Sequence, residues 1–273
     1  MTILKTKAVR AVADVFFPRV CVGCGDVVED AAGAGRPPVP AAVGAAAAGA
    51  APPPPLRHVC AKCAAKIEIV GEPCCTTCGY PFHGIFAEEA LRGGARICPH
   101  CEGLAPAYRE GRAVVLLKGA ARSLVHELKY HKGLYVLDDV AALARRSAGM
   151  MRFVRDAVLV PVPLHPRKER ERGFNQSRAL ADCLAREAGG ATRVEGLLRR
   201  EADTVSQTSF DRKTRQANLK NAFALAPGAV ITPGQHYIIV DDVFTTGSTL
   251  NSCAGVLRRA GCLTLDIVTF GHG

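Results

Sequence analysis

After Cys101, short apolar runs alternate with stretches whose apolar residues recur every three or four positions. The runs Ala113–Leu117, Ala157–Val162, Tyr237–Asp241 and Leu263–Phe270 predict buried strands. The periodic stretches Ala121–Tyr130, Gly133–Arg146, Gln176–Ala188 and Gly247–Ala260 predict helices. Strands alternating with helices of this length predict an α/β unit around a mostly parallel sheet, whose ligands bind at the carboxyl ends of the strands. Before Cys101 the texture differs. Val9, Val12, Ala13 and Phe16 predict a short amphipathic helix, and residues 31–55 form an Ala/Pro/Gly stretch with almost nothing bulky to bury. That stretch reads as a disordered or semi-extended insert. The chain thus divides at about residue 105, into a cysteine-rich segment 1–105 and an α/β domain 106–273.

Composition adds limits. Hydrophobic residues make up 48% of the chain and charged ones 22%, as in folded globular proteins. Aromatics are only 5% with no Trp, so the core must come from Leu, Val, Ala and Ile. No apolar stretch reaches the ~18 residues needed to cross a bilayer. The N-terminus also lacks an apolar leader with a small-residue cleavage site. These features predict a cytoplasmic protein with no membrane insertion. A net charge of +10 favours anionic partners, nucleic acid and phosphorylated metabolites alike, and does not choose between them. Solubility alone is also served by such a charge.

Nine of the twelve cysteines precede residue 105, and eight of these fall in four C-x-x-C pairs: Cys21/Cys24, Cys60/Cys63, Cys75/Cys78 and Cys98/Cys101. Without a secretion signal, this spacing points to metal rather than to disulfides. Two such turns bring four thiolates to one tetrahedral zinc ion, so four pairs make two structural sites. Sequential pairing is favoured, Cys21, Cys24, Cys60 and Cys63 for one ion and Cys75, Cys78, Cys98 and Cys101 for the other. A cross-braced arrangement remains an alternative. Cys74 could compete with Cys75, and His83 or His100 could substitute as ligands. Cys183, Cys253 and Cys262 read as small buried hydrophobes.

The sharpest signal is Tyr237–Leu250, YIIVDDVFTTGSTL. A β-branched run ends in two carboxylates, Asp241 and Asp242, which can accept from vicinal ribose hydroxyls. Thr245, Thr246, Gly247, Ser248 and Thr249 then open a helix, where inward backbone N–H groups, hydroxyls and the helix N-terminus make a cradle for phosphate. Helix capping alone needs one such residue, whereas this segment offers two carboxylates and four hydroxyls around a Gly. Upstream, Val160–Ser177 carries a basic loop with Arg167, Lys168, Arg170 and Arg172, followed by a helix beginning near Asn175. A mobile basic loop can stabilise charge on departing pyrophosphate. Glu169 and Glu171 partly offset it, so a solvated surface loop remains an alternative. The segment Arg199–Phe223, with Arg200, Thr204, Gln207, Arg212, Arg215 and Asn218, says little alone.

Together these words resemble the ComF family, competence-associated proteins that include the GntX type. The matching words are PVPL…R…RGFNQ (Pro161–Gln176), R…T…Q…R…N…AF (Arg200–Phe223) and VDDVFTTGST (Val240–Thr249), with Lys129-Tyr130 also fitting. The resemblance covers nearly the whole chain and departs at the insert 31–55. It implies a type I phosphoribosyltransferase-like parallel sheet flanked by helices, preceded by a double zinc ribbon. It further implies binding of 5-phosphoribosyl 1-pyrophosphate (PRPP) with Mg²⁺. Asp241 and Asp242 would then contact the ribose and Thr245–Thr249 the 5-phosphate. Phosphoribosyl transfer to an acceptor follows from that likeness, although no residue presents itself as the acceptor's base. The family's link to natural transformation implies an alternative: a nucleotide-sensing protein that handles incoming single-stranded DNA beside other competence proteins. Few aromatics in the ribbons (Tyr80, Phe82 and Phe86) weaken base stacking there.

Overall fold

A computed structural model describes residues 18–28, 55–82, 98–201 and 222–273. The expected N-terminal helix and most of the insert lie outside the described residues, as do His83, Phe86, Thr204, Gln207, Arg212, Arg215 and Asn218.

The elements run α1 (Ala61–Ala64), β1 (Gly111–Leu116), α2 (Gly119–Tyr130), a 3-10 turn (Leu134–Val136), α3 (Leu137–Arg146), α4 (Ala148–Val154), β2 (Val158–Pro161), α5 (Pro166–Arg172), α6 (Gln176–Ala188), β3 (Arg193–Val194), β4 (Leu198–Arg200), β5 (Phe223–Leu225), β6 (His236–Phe244), α7 (Ser248–Arg259) and β7 (Thr264–His272). Five strands form one sheet in the order β1-β7-β6-β2-β3, every neighbouring pair parallel. Strand β6 is central because Ile238, Ile239 and Val240 can be buried on both faces, as parallel sheets require. Ile238 and Val240 pack into one core with Leu124, Leu143 and Leu180 of α2, α3 and α6. Tyr237 and Ile239 pack into the other with Leu250 and Leu257 of α7.

All four expected strands form. The helix expected over Gly133–Arg146 is split by the 3-10 turn, after Lys132 takes a left-handed φ of 55°. The sequence reading passed over α4, β3 and the antiparallel pair β4–β5, all too short to show a period. The basic loop is instead helix α5. Pro166 fixes its first turn, His165 caps it by accepting from Arg167 N, and Gly173 ends it at φ 87°. No residue of α5 is buried, so it carries no apolar stripe from which to read a helix. The carboxylates also sit differently from expectation. Asp241 and Asp242 lie within β6, which continues to Phe244, because Asp241, Val243 and Phe244 still pair with Thr269, Gly271 and His272 of β7.

The cysteine-rich segments are built into this architecture on opposite faces of the sheet. Cys21, Leu56 and Val59 are buried with α2 and α3, whereas Cys75, Cys78, Cys98 and Cys101 are buried with α7. Asp139, 1% exposed, accepts from the backbone N–H groups of Arg57 and His58 and so ties the first segment to α3. Between the two cysteine sets, residues 68–70 run antiparallel to β1. Val70 N donates to Val114 O and Leu116 N to Glu68 O, both at 2.9 Å, which covers the edge that β1 would otherwise expose. The second set approaches β1 so closely that a Cβ on Gly79 would lie 2.6 Å from Ala113 N. Only glycine fits there, and its φ of 74° is one that glycine alone adopts without strain.

Candidate ligand site and metal centres

The carboxylates of β6 come to the carboxyl edge of the sheet with different partners. Asp241 Oδ1 accepts from Ser177 Oγ at 2.8 Å and from Asp242 N at 2.9 Å. Burial, then the adjacent Asp242 carboxylate, pushes Asp241 up to about 7. Asp242 is 4% exposed, and its Oδ1 lies 2.8 Å from Lys129 Nζ. Its Oδ2 is buried with no hydrogen-bond partner among the described residues. A buried acceptor without a donor costs stability, and a ligand hydroxyl or a cation would satisfy it.

The turn after β6 is shaped for an anion. Gly247 holds φ 72°, and a Cβ there would come within 2.7 Å of the Phe244 ring and 3.0 Å of Leu104. Being glycine, it caps α7 without a side chain, and no acidic residue stands in the first turn of that helix. The partial positive charge of the N-terminus is therefore uncompensated by carboxylate. Thr246 and Ser248 share a hydroxyl contact of 2.9 Å, with Thr245 and Thr249 on either side. This set of donors suits a phosphate.

Helix α5 divides its four cations. Arg172 bonds Gln176 and stands over the Tyr130 ring at 6.0 Å, whereas Arg167 pairs with Glu171 at 3.1 Å. Lys168 and Arg170 make no ion pair among the described residues.

The eight C-x-x-C cysteines gather in two groups in the sequential pairing. Sulfur pairs Cys24–Cys60, Cys75–Cys101 and Cys78–Cys98 stand 3.7 Å apart. Tetrahedral Zn–S bonds of ~2.3 Å place sulfurs about 3.8 Å apart, so both groups fit a zinc ion with all four positions filled. As thiols the group is at odds with itself. The Cys78 thiol donates to Cys75 and lowers it to about 5, while burial and then the Cys75 charge raise Cys101 to about 12. A divalent cation removes that conflict. Cys74 stands outside, accepting from Arg112 at 3.0 Å, and His100 is stacked on Tyr80 with centroids 3.7 Å apart. Cys183, Cys253 and Cys262 are buried, as expected of small hydrophobes.

Sequence reasoning left several site neighbours without a role. Lys129 stood inside a recognised word and Ser177 at the end of the segment Val160–Ser177, but only the structure pairs them with Asp242 and Asp241 respectively. Asn251 was not singled out. Its Oδ1 accepts from Ala107 N at 2.7 Å and its Nδ2 donates to Ala105 O at 2.9 Å. It thereby clamps the segment following Cys101 to the first turn of α7. Lys118 and Gly119 open α2 at the same edge of the sheet, Gly119 at φ 48°. A Gly after a strand was the available signal.

A parallel sheet with helices on both faces, a Gly/Thr/Ser turn at its carboxyl edge and two four-cysteine groups able to hold zinc define an α/β protein with two candidate metal centres. No protein-family model matches the chain. It is 33% identical over 216 residues to the DNA utilization protein YhgH of Salmonella typhimurium, spanning 77% of this chain and 88% of that protein. It is 28% identical over 217 residues to competence protein F of Haemophilus influenzae (76% and 94%) and 24% identical over 214 residues to competence protein ComFC of Bacillus subtilis (74% and 79%). Among solved structures, a hypoxanthine phosphoribosyltransferase of Staphylococcus aureus aligns with 50% of this chain and 62% of its own, at 14% identity and a TM-score of 0.30. The chain belongs to the ComF family. No helix among its described residues is long and apolar enough to cross a membrane.

Proposed function

We propose that this protein binds PRPP and transfers its phosphoribosyl group to an acceptor, in the cytoplasm and in the service of DNA uptake. The observation that best supports this is the buried Oδ2 of Asp242, without a hydrogen-bond partner among the described residues, on the strand that leads into the glycine-capped start of α7. Asp241 and Asp242 orient the ribose through its hydroxyls, and Thr245, Thr246, Gly247, Ser248 and Thr249 hold the 5-phosphate. Arg167, Lys168, Arg170 and Arg172 on α5 stabilise the charge that grows on pyrophosphate as its bond to C1 breaks. Mg²⁺ arriving with PRPP would neutralise part of that charge, and Asp241 and Asp242 are the residues that would hold it. The two cysteine groups carry structural zinc. Pyrophosphate release from PRPP and Mg²⁺, assayed across amine and nucleobase acceptors, tests the transfer. Release that Asp242→Asn abolishes is expected; no release with any acceptor would leave a binding protein and end the enzyme reading.

A second reading has support from the exposed Arg167 and Arg170 on α5 and from the names of the relatives. In it the pocket senses a nucleotide and the basic helix contacts incoming single-stranded DNA. It expects salt-sensitive binding to single strands that charge reversal at Arg167, Lys168 and Arg170 removes; binding indifferent to both contradicts it.

A further inference from the structure

The end of α2 carries side chains that neither the PRPP site nor the cysteine groups use. His126, Glu127 and His131 each offer one donor atom, and the three atoms lie within 4.8 Å of one another. His131 Nδ1 stands 2.8 Å from Glu127 Oε1, and the rings of His126 and His131 meet edge-on with centroids 5.1 Å apart. The other carboxylate oxygen, Glu127 Oε2, accepts from Tyr135 OH at 2.9 Å. Tyr135 in turn leans against the His58 ring at 4.6 Å.

We propose that His126, Glu127 and His131 form a third metal site, for a first-row divalent cation such as Zn²⁺, Co²⁺ or Ni²⁺. Two imidazoles and a carboxylate suit these metals, whereas Mg²⁺ and Ca²⁺ prefer shells of oxygen. The Tyr135 hydroxyl orients the carboxylate from outside the ligand set, the usual support of a metal-binding group. The site stands at the carboxyl end of α2, where unpaired helix carbonyls favour positive charge. Both histidines are exposed, so three protein donors leave positions open to water, in contrast to the closed cysteine groups. Glu127 and His131 alone would make an ordinary helix-surface pair, four residues apart. The approach of His126 is what that pair does not require. Between the ligands stand Lys129, which holds Asp242, and Tyr130, which lies under Arg172. The cation would thus share a helical turn with a residue of the pocket, although the site stands apart from the PRPP reading.

Co²⁺ titrated into the zinc-loaded, full-length protein tests this, because nitrogen and oxygen ligands give weak visible bands and thiolates give intense charge transfer. Saturation with a single equivalent of Co²⁺ is expected, without thiolate charge transfer. The doubly substituted His126→Gln/His131→Gln protein should lose these bands while keeping both zinc ions and its melting temperature. Tyr135→Phe should weaken binding about tenfold or more. Unsaturable binding, thiolate charge transfer on adding Co²⁺, or equal bands in the doubly substituted protein would each overturn the proposal.

Discussion

Asp241 and Asp242 are neighbours with unequal surroundings. Asp242 has Lys129 within 2.8 Å, whereas Asp241 has a hydroxyl and a backbone N–H and is pushed up to about 7. A carboxyl raised in the folded state favours folding when protonated, and that contribution is lost as the pH rises from about 4 through 7. Asparagine keeps Oδ1 as an acceptor for Ser177 and for Asp242 N and carries no charge. Asp241→Asn should therefore melt higher than the natural protein at pH 8, at about 2–4 °C per kcal/mol for a chain of this size. The gap should close below about pH 4. Thermal melts of both proteins across that range check it, and a gap independent of pH would refute it. Both carboxylates were legible in the sequence because two acids after a β-branched run stand out. Their inequality was not, since it depends on Lys129 and Ser177, which are distant in the chain and near only in the fold.

At the scale of elements, the turn after β6 is held from outside by the second cysteine group. Leu104 touches the space that a Cβ at Gly247 would take, and Asn251 bonds both Ala105 and Ala107. Asn251→Ala leaves a backbone donor and acceptor unpaired, at a cost of about 1–3 kcal/mol. PRPP binding should weaken and the melting temperature fall while zinc content stays at two ions; calorimetry and metal analysis read both, and unchanged affinity would show the turn to be self-supporting. The long helices α2, α6 and α7 announced themselves through periodic apolar residues, and β6 through its unbroken β-branched run. Helix α5 did not, because a helix with no buried residue has no period to display. Its sequence instead holds strong helix formers, Lys, Arg and Glu, between Pro166 and Gly173, a local signal that charge offsetting obscured.

Across the whole molecule, the cysteine segments do more than precede the sheet. Cys21 is buried in one core with Cys60 and Cys63 packed against it, the second group is buried in the other core, and residues 68–70 between them cover the edge at β1. The C-x-x-C spacing favoured two four-cysteine groups in sequential order over a cross-braced pairing, and the cysteines gather in that order. Their placement on opposite faces was hidden, because it rests on long-range packing and on close backbone approach at Gly79. Stripping zinc with a chelator should accordingly speed amide exchange at Val70 and Leu116, which bond across that edge, as well as in the cysteine turns. Exchange confined to the turns would mean that the edge holds without metal. The central claim remains that the carboxyl edge of β6 binds PRPP. Calorimetric titration of PRPP and Mg²⁺ into the intact protein and into Asp242→Asn addresses it most directly. Saturable binding lost in the substituted protein is the predicted result, and no binding to either, or equal binding to both, would contradict it.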